Sequence, residues 1–325
     1  MNGYTCDRAE RGRDIGFPDP SGPKGEILFY EPSFAPGGRG REGFPLSFPS
    51  ISITGTRCAL SCKHCGGRLL RGMIPAGSPE ELLAVCEGVR ERGGIGCLIS
   101  GGCDRGGSVP LAGFLEAISR IKRDLGLKVV VHTGIVGKGV AEGLGRAGID
   151  AALIDLIGSA EAIREVYGLE ASPSDYERSL RLLREHGVPI VPHILVGIHY
   201  GRPSGELEAL RIASECGPQA LAFIVLTPIR GTPMESAAPP SPSEVAGLIS
   251  AARSALPDVP LALGCVRPKG SHRAELDALA IRAGVDAIAL PSSSAIDLAK
   301  SMGIEIRFSK TCCSLVHEDV LHPPS

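Results

Sequence analysis

Three cysteines lie close together in the segment CALSCKHC, which spans residues 58–65. Cys58, Cys62 and Cys65 have the spacing C-x3-C-x2-C, in a chain that holds 11 cysteines. Thiols at such short spacing can form disulfides, bind zinc or hold an iron–sulfur cluster. The rest of the sequence has to separate these three chemistries.

Disulfides are the least favoured of the three. The first 20 residues contain no apolar run of the length that a signal peptide needs, and no run of about 18 apolar residues is present to span a membrane. The sequence therefore predicts a cytoplasmic protein without a membrane partner, in which thiols stay reduced. An odd number of cysteines also cannot be fully paired within one chain.

Composition excludes a further class of partner. Charged residues make up 22% of the chain, hydrophobic residues 43%, and the formal net charge is -2. These values are typical of a globular protein, and they lack the basic excess that nucleic-acid binding requires. We expect no nucleic-acid partner.

The chain divides into three parts. Residues 1–50 are rich in glycine and proline, which predicts an irregular N-terminal arm that packs on the main domain through FYEPSF (29–34) and FPLSF (44–48). Residues 51–305 alternate regularly between apolar runs and helical stretches. Residues 306–325 form a tail with a Cys-Cys pair, expected near the active-site face.

The elements of the central part can be predicted from its patterning. Its apolar runs are SISITG (50–55), GCLISGG (96–102), KVVVHTG (128–134), AALIDLIG (151–158), PIVPHILVG (189–197), ALAFIVLTP (220–228), PLALGCVRP (260–268) and DAIALPS (286–292). Each run is almost continuously apolar, which is typical of a parallel strand buried on both faces. Ser-Pro pairs at 78–79, 172–173 and 241–242 mark helix starts between them. Eight strands alternating with helices predict an α/β fold, a (β/α)8 barrel of the TIM type. The alternative is an open doubly wound sheet. Sheets of that class more often carry a glycine-rich phosphate loop after the first strand.

The three cysteines follow the first predicted strand, in a loop of residues 55–77 that we call the cysteine loop. In a barrel, the loops after the strands form the active-site face. Structural zinc needs four ligands, usually from paired C-x2-C units, and only His64 could complete such a set here. Three thiolates on a cubane iron–sulfur cluster would instead leave one iron open for catalysis.

CALSCKHC resembles the C-x3-C-x2-C loop of the radical S-adenosylmethionine (SAM) superfamily, which follows strand one of an α/β barrel. The resemblance implies a TIM-type barrel of the radical SAM kind, with Cys58, Cys62 and Cys65 as ligands of a [4Fe–4S] cluster. It also implies that the open iron binds SAM, whose reductive cleavage gives a 5′-deoxyadenosyl radical. His64 stands where that family usually has an aromatic residue, and it would lie beside the adenine.

Further SAM contacts are implied at the ends of other strands. Ser100, Gly101 and Gly102 resemble the glycine motif that binds the methionine amine, and RGTPM (230–234) resembles a motif of biotin synthase. Asp155 occupies the place of a ribose-binding carboxylate, and Gly197 and Ile198 that of a backbone segment beside the adenine. Taken singly, each motif could also be an ordinary strand-end turn or helix cap.

Four other cysteines are candidates for a second cluster. They follow the second predicted strand, end the seventh or lie in the tail: Cys103, Cys265, Cys312 and Cys313. The alternative is that they are inert buried thiols, as we expect for Cys86, Cys97 and Cys216. Sulfur-inserting radical SAM enzymes possess a second, auxiliary cluster and sacrifice it as the sulfur source.

The overall combination of motifs, ending in CCS, is similar to the biotin-synthase-like proteins that form a two-component lipoyl synthase. That resemblance implies sulfur insertion into an octanoylated lipoyl domain or H-protein. It also implies a second radical SAM protein as partner and ferredoxin or flavodoxin as electron donor. The alternatives are another biotin-synthase-like radical SAM enzyme (an isomerase, lyase or methyltransferase) and, outside enzymes, an iron–sulfur electron carrier.

Overall fold

The computed structural model describes residues 25–31 and 47–321, and its strands form one sheet. In chain order they are β1 Glu26–Tyr30, β2 Ser50–Ser52, β3 Ile74–Pro75, β4 Gly96–Ser100, β5 Lys128–His132, β6 Ala151–Leu156, β7 Ile190–Val196, β8 Leu221–Val225, β9 Leu261–Leu263, β10 Ala287–Ala289 and β11 Glu305–Ser309. Their order in the sheet is β11-β1-β10-β9-β8-β7-β6-β5-β4-β2-β3, and all of these ladders are parallel.

Helices connect the strands. They are α1 Pro79–Glu91, α2 Leu115–Arg120, α3 Lys138–Ala147, α4 Ala160–Ala162, α5 Pro173–Glu185, α6 Glu206–Cys216, α7 Pro242–Ala255, α8 Ser271–Arg282, α9 Ser293–Ser301 and α10 Val316–Leu321. The Ser-Pro pairs start α1, α5 and α7 as predicted, because Ser78, Ser172 and Ser241 are N-caps and the following proline takes a first-turn position. Alpha2 and α4 continue into π-helical turns at Ile121–Leu125 and Ile163–Tyr167.

The predicted fold class is confirmed, and each of the eight apolar runs contains one strand. The sheet is a curled parallel sheet covered by helices, and within the described ranges no ladder joins its outer strands β3 and β11. The eighth predicted strand, β10, pairs with β1 instead of with β2. Beta1 can take this place because Ile27, Leu28, Phe29 and Tyr30 are at most 2% exposed, so the strand is apolar on both faces.

Part of the segment assigned to the N-terminal arm therefore belongs to the sheet. Phe29 and Tyr30, from the first docking motif, lie in β1 between β10 and β11. Phe48, from the second, is buried against the inner face. Residues 32–34 and 44–46 of these motifs lie outside the described residues.

The tail enters the space enclosed by the sheet. After β11, a 3₁₀ turn at Cys313–Leu315 contacts β6, β8, β9 and β10, and α10 follows. The inner face is lined largely by small side chains, which leave room for this turn: Ala151, Ala220, Ala222, Ala262, Ala287 and Ala289. Tyr30 Oη donates to Asp319 Oδ2 at 2.7 Å and fixes the tail to β1.

Nothing in the described part of the chain is a helix that is both long enough and apolar enough to cross a bilayer.

Candidate active site

The cysteine loop folds back on itself directly after β2. Cys62 is 6% exposed, and its carbonyl accepts hydrogen bonds from the backbone N–H groups of Cys65 at 3.1 Å and Gly66 at 2.7 Å. The ligand atoms of Cys62, His64 and Cys65 lie within 4.8 Å of one another. A hydrogen bond from the Cys62 thiol lowers the pKa of Cys65 and raises that of Cys62. Cys58 is half-buried and is among the thiols that raise the pKa of Cys62.

The glycine motif at the end of β4 supports this loop. Gly102 N donates to Thr54 Oγ1 at 2.7 Å, and Ala59 N donates to the carbonyl of Cys103 at 2.8 Å. A Cβ on Gly102 would lie 2.0 Å from the Arg57 carbonyl oxygen and 2.6 Å from Cys58 Cα. Only glycine therefore allows the end of β4 to contact the first cysteine of the loop.

Replacing Gly102 with alanine should displace the cysteine loop, because the new Cβ overlaps the Arg57 carbonyl oxygen and Cys58 Cα. We expect a loss of most of the iron that the loop holds, together with a destabilisation of about 1–3 kcal/mol. Iron and sulfide analysis and thermal unfolding of the anaerobically reconstituted protein measure both effects.

Gly139→Ala is the matched control, since Gly139 lies in α3 and a Cβ there meets nothing within 4 Å. It should keep the wild-type iron content. A Gly102→Ala protein with wild-type iron content and SAM affinity would contradict the assigned contact.

Three buried polar atoms beside the loop lack a hydrogen-bond partner. They are His64 Nδ1, the Tyr167 hydroxyl and Asp155 Oδ1. The His64 and Tyr167 rings are 5.2 Å apart between centroids, and the Asp155 charge acts on Tyr167. Buried polar atoms are nearly always hydrogen-bonded, so three unpaired atoms around one loop are what a polar ligand would satisfy.

Tyr167 was missed by the sequence analysis. It ends the π-helical turn after β6, where an aromatic residue carries no pattern that separates it from a core side chain. Only its position against His64 indicates a role at the site.

Asp155, at the end of β6, lies between two histidines on neighbouring strands. Its Oδ1 is 3.8 Å from Nε2 of His132 and 3.6 Å from Nδ1 of His193. Burial by itself raises the pKa of Asp155, but the two imidazoles outweigh it and hold that pKa at about 2. The side chain is 37% exposed although Oδ1 itself is buried. Asp155 is a charged carboxylate available to a ligand.

The loop after β7 is organised by Glu206, a second residue that the sequence analysis missed. Its carboxylate accepts from Gly197 N at 2.8 Å and from Ser204 N at 2.5 Å. Gly197 has a φ of 76°, and Ile198 is 2% exposed. Glu206 thus fixes the backbone of the segment expected to lie beside the adenine. A carboxylate in the first turn of a helix usually marks only the start of the helix. The sequence therefore gave no sign that Glu206 has a role at the site.

Three of the remaining cysteines form a separate set, which we call the inner cysteine group: Cys265, Cys312 and Cys313. Cys265 follows β9, Cys312 directly precedes the 3₁₀ turn of the tail, and Cys313 is the first residue of that turn. A hydrogen bond from the Cys313 thiol lowers the pKa of Cys312, and burial raises the pKa of Cys265 to about 11.

Arg267 holds the segment that carries Cys265. Its guanidinium pairs with Asp277, both side chains are 0% exposed, and it donates to the carbonyls of Gly264 and Ala289 at 2.7 Å. This buried network joins the ends of β9 and β10 and fixes the backbone beside Cys265.

Cys103 lies with the cysteine loop and not with the inner cysteine group. Burial raises its pKa to about 12, and the charges that add to this effect are those of Cys58, Asp155, Asp104 and Cys65. The cysteines that the sequence analysis grouped together are therefore divided between two places.

The donor set of the cysteine loop fits an iron–sulfur cluster. Thiolates are the ligands that iron–sulfur clusters use. The cysteine loop offers three thiolates, so one iron of a cubane cluster would have no protein ligand from the loop. The unpaired atoms of His64, Tyr167 and Asp155 fit a polar molecule bound beside it.

Comparisons with known proteins agree with this chemistry. Residues 52–203 match the family model described as Radical SAM superfamily. A biotin synthase of Halorhodospira halophila is 29% identical over 250 residues, which cover 74% of each chain. Among solved structures, methylornithine synthase (PylB) has a TM-score of 0.56 at 15% identity, covering 80% of this chain and 82% of its own. The hydrogenase maturase HydG has a TM-score of 0.62 at 14% identity, covering 91% and 67%. These likenesses between structures concern the fold.

Proposed function

Residues 52–203 match the radical SAM family model, and on this basis we propose that the chain is a sulfur-inserting radical SAM enzyme acting on a protein-bound octanoyl chain. The match implies a [4Fe–4S] cluster and SAM, as the sequence analysis expected. The sulfur source in this proposal is an auxiliary cluster held inside the sheet.

The residues of the site have separate tasks in this scheme. When bound, the SAM cluster supplies the electron that cleaves SAM to a 5′-deoxyadenosyl radical. Cys62 and Cys65, whose ligand atoms lie together, would hold that cluster with Cys58, and His64 and Tyr167 would line the space beside it. Asp155 would bind ribose hydroxyls through charge-assisted hydrogen bonds, and Glu206 would shape the adenine side through Gly197.

The observation that carries the proposal is the inner cysteine group. A radical SAM enzyme that only cleaves SAM needs no second set of thiols, yet three converge inside the sheet. A series of side chains connects this set to the cysteine loop. The charge of His64 acts on the Asp155 carboxylate, and that carboxylate lies beside the His193 ring. His193 in turn contacts the tail residue Ser314, which lies beside Cys312. A substrate between the two places would meet the radical on one side and sulfur on the other.

The charge around the opening supports a protein as substrate. The loops at the carboxyl ends of the strands carry a set of accessible basic side chains: Arg57, Lys63, Arg68, Arg71, Arg105, Arg202, Arg230, Lys269 and Lys310. In the described parts of these loops the acidic residues are Glu31, Asp104 and Glu235, and two of them accept backbone hydrogen bonds from their own loop. The whole chain has a net charge of -2, so this basic rim is local and favours a partner with an acidic surface.

A second candidate function is sulfur insertion into a small molecule, which the 29% identity to a biotin synthase favours. Other candidates in the same superfamily are isomerases, lyases and methyltransferases, which would use no sacrificial cluster. An assay with protein-bound and small substrates separates these classes.

Iron, sulfide and product analysis tests the proposal. Anaerobically reconstituted protein should hold about eight iron and eight sulfide per chain, the content of two cubane clusters. With SAM, a reductant, the presumed partner protein and an octanoylated lipoyl domain, it should yield thiolated protein. About four iron per chain would sink the sulfur-donor assignment, and thiolation of a small substrate alone would favour the second candidate.

Replacing Asp155 with asparagine should weaken SAM binding, by roughly 1.5–3 kcal/mol, because the hydrogen bonds to ribose would lose their charge. The SAM cluster itself should remain, since Asp155 is not one of its ligands. SAM affinity and iron content of the variant measure the two effects separately. Unchanged SAM affinity with an intact cluster would make Asp155 a structural group.

A further inference from the structure

We propose that His193 is the fourth protein ligand of the auxiliary cluster, through Nε2, beside Cys265, Cys312 and Cys313. This rests on the proposed function, because it assumes that the inner cysteine group holds a cluster. The imidazole of His193 thus replaces Cys103, which the sequence analysis expected to be the fourth ligand.

The placement of Cys103 is the first reason. Its backbone carbonyl accepts from Ala59 of the cysteine loop, and its charged neighbours are those of the SAM site. The inner cysteine group is thereby left with three thiols. A cubane cluster with four protein ligands needs one more donor from the inner face of the sheet.

The orientation of His193 is the second reason. Its Nδ1 is 3.6 Å from Asp155 Oδ1, and its Nε2 is 3.4 Å from the hydroxyl of Ser314. The ring thus spans from the carboxylate to the tail turn. A carboxylate near Nδ1 favours a proton on that nitrogen, which would leave the lone pair of Nε2 to bind metal. Nε2 is the nitrogen on the side of the tail turn, where Ser314 contacts Cys312.

The contact that Ser314 makes with both His193 and Cys312 is the third reason. The Ser314 hydroxyl lies 3.5 Å from Cys312 Sγ, and Cys312 in turn acts on Cys265 and Cys313. His193 is 8% exposed and lies among the small residues of the inner face. A buried imidazole with a carboxylate near one nitrogen, and near the other a hydroxyl that contacts a thiol, has the surroundings of a metal-binding histidine.

His132 provides the matched comparison. It also faces Asp155, at 3.8 Å through Nε2, and its ring is 5.3 Å from that of His193 between centroids. The two histidines differ in their other contact: His193 also contacts the tail, through Ser314. His132 is therefore the control for any effect that comes from disturbing Asp155.

One neutral nitrogen ligand has a consequence for the cluster. Replacing a thiolate by imidazole removes a negative charge from the coordination sphere, and histidine ligation raises the reduction potential of iron–sulfur centres. Substituting cysteine for His193 should therefore lower the potential of the auxiliary cluster.

The test isolates the auxiliary cluster and observes the ligand nucleus directly. Full-length protein carrying Cys58→Ala, Cys62→Ala and Cys65→Ala cannot hold the SAM cluster and should retain about four iron per chain. Pulsed electron paramagnetic resonance of the reduced protein should show a strongly coupled nitrogen, which changes from ¹⁴N to ¹⁵N when only histidine is labelled. The coupling should persist with His132→Asn.

His193→Cys in the same background should keep the iron, lose the nitrogen coupling and lower the reduction potential. Because cysteine can still bind iron, this variant keeps the test valid even if His193→Asn fails to hold a cluster. Four iron without a histidine coupling, or a coupling that survives His193→Cys, would overturn the ligand assignment alone. Absence of iron in the triple-alanine background would overturn the second cluster, and with it the proposed sulfur source.

Discussion

Replacing Cys62 with alanine is expected to reduce cleavage of SAM to background while leaving the fold intact. Cys62 is the central thiol of the cysteine loop, and its ligand atom lies within 4.8 Å of those of His64 and Cys65. Two remaining thiolates cannot hold a cubane in working geometry, so the open iron that binds SAM is lost. The measurement is 5′-deoxyadenosine formed in an anaerobic assay with dithionite.

The fold should survive because the change removes one small side chain. A buried thiol behaves as a small hydrophobic group, and we expect a loss of about 1 kcal/mol in the free energy of unfolding. Cys86→Ala is the control: Cys86 is equally buried, in α1, with its sulfur 3.8 Å from that of Cys97. It should cleave SAM at the wild-type rate. Substantial cleavage by the Cys62 variant would refute the assignment of this loop.

Replacing Cys265 with alanine is expected to separate the two halves of the proposed reaction. The cysteine loop, Asp155 and Glu206 are untouched by this change, so SAM cleavage should continue. Sulfur insertion should fall to background, because the auxiliary cluster would lose a ligand and with it the sulfur source. Thiolated product and 5′-deoxyadenosine, measured in one assay with an octanoylated lipoyl domain, give the ratio that decides.

Cys216→Ala is the matched control for this experiment. Cys216 is 1% exposed at the end of α6, away from the inner cysteine group. Its loss should cost about 1 kcal/mol of stability and leave the product ratio unchanged. If Cys265→Ala also keeps the wild-type ratio, Cys265 is a packing residue and has no part in holding sulfur.

Several features of this protein could be predicted from the sequence because they depend on neighbours along the chain. Continuous apolar runs predicted the eight strands β2, β4, β5, β6, β7, β8, β9 and β10, and Ser-Pro pairs predicted three helix starts. The spacing of Cys58, Cys62 and Cys65 indicated an iron–sulfur loop, because residues so close in sequence must also be close in space.

Glu26–Tyr30 shows where such reasoning stops. Its five residues have a strand pattern, but the surrounding glycines and prolines favoured an irregular segment. The strand forms because β10 and β11 offer parallel edges on either side and four of its side chains become fully buried. That stabilisation comes from partners more than 250 residues away, which no local pattern encodes.

The division of the cysteines was likewise decided by tertiary structure alone. In sequence, Cys103 and Cys265 both lie at the carboxyl end of a predicted strand and looked equivalent. The curvature of the sheet turns Cys103 toward the cysteine loop, while the alanine-lined inner face admits the tail and brings Cys312 and Cys313 to Cys265. The sequence by itself therefore determined eight strands, their order along the chain, three helix starts and the position of the cysteine loop. Which distant side chains meet depended on how the sheet curves and what fills it, because those contacts are fixed only when the whole chain packs.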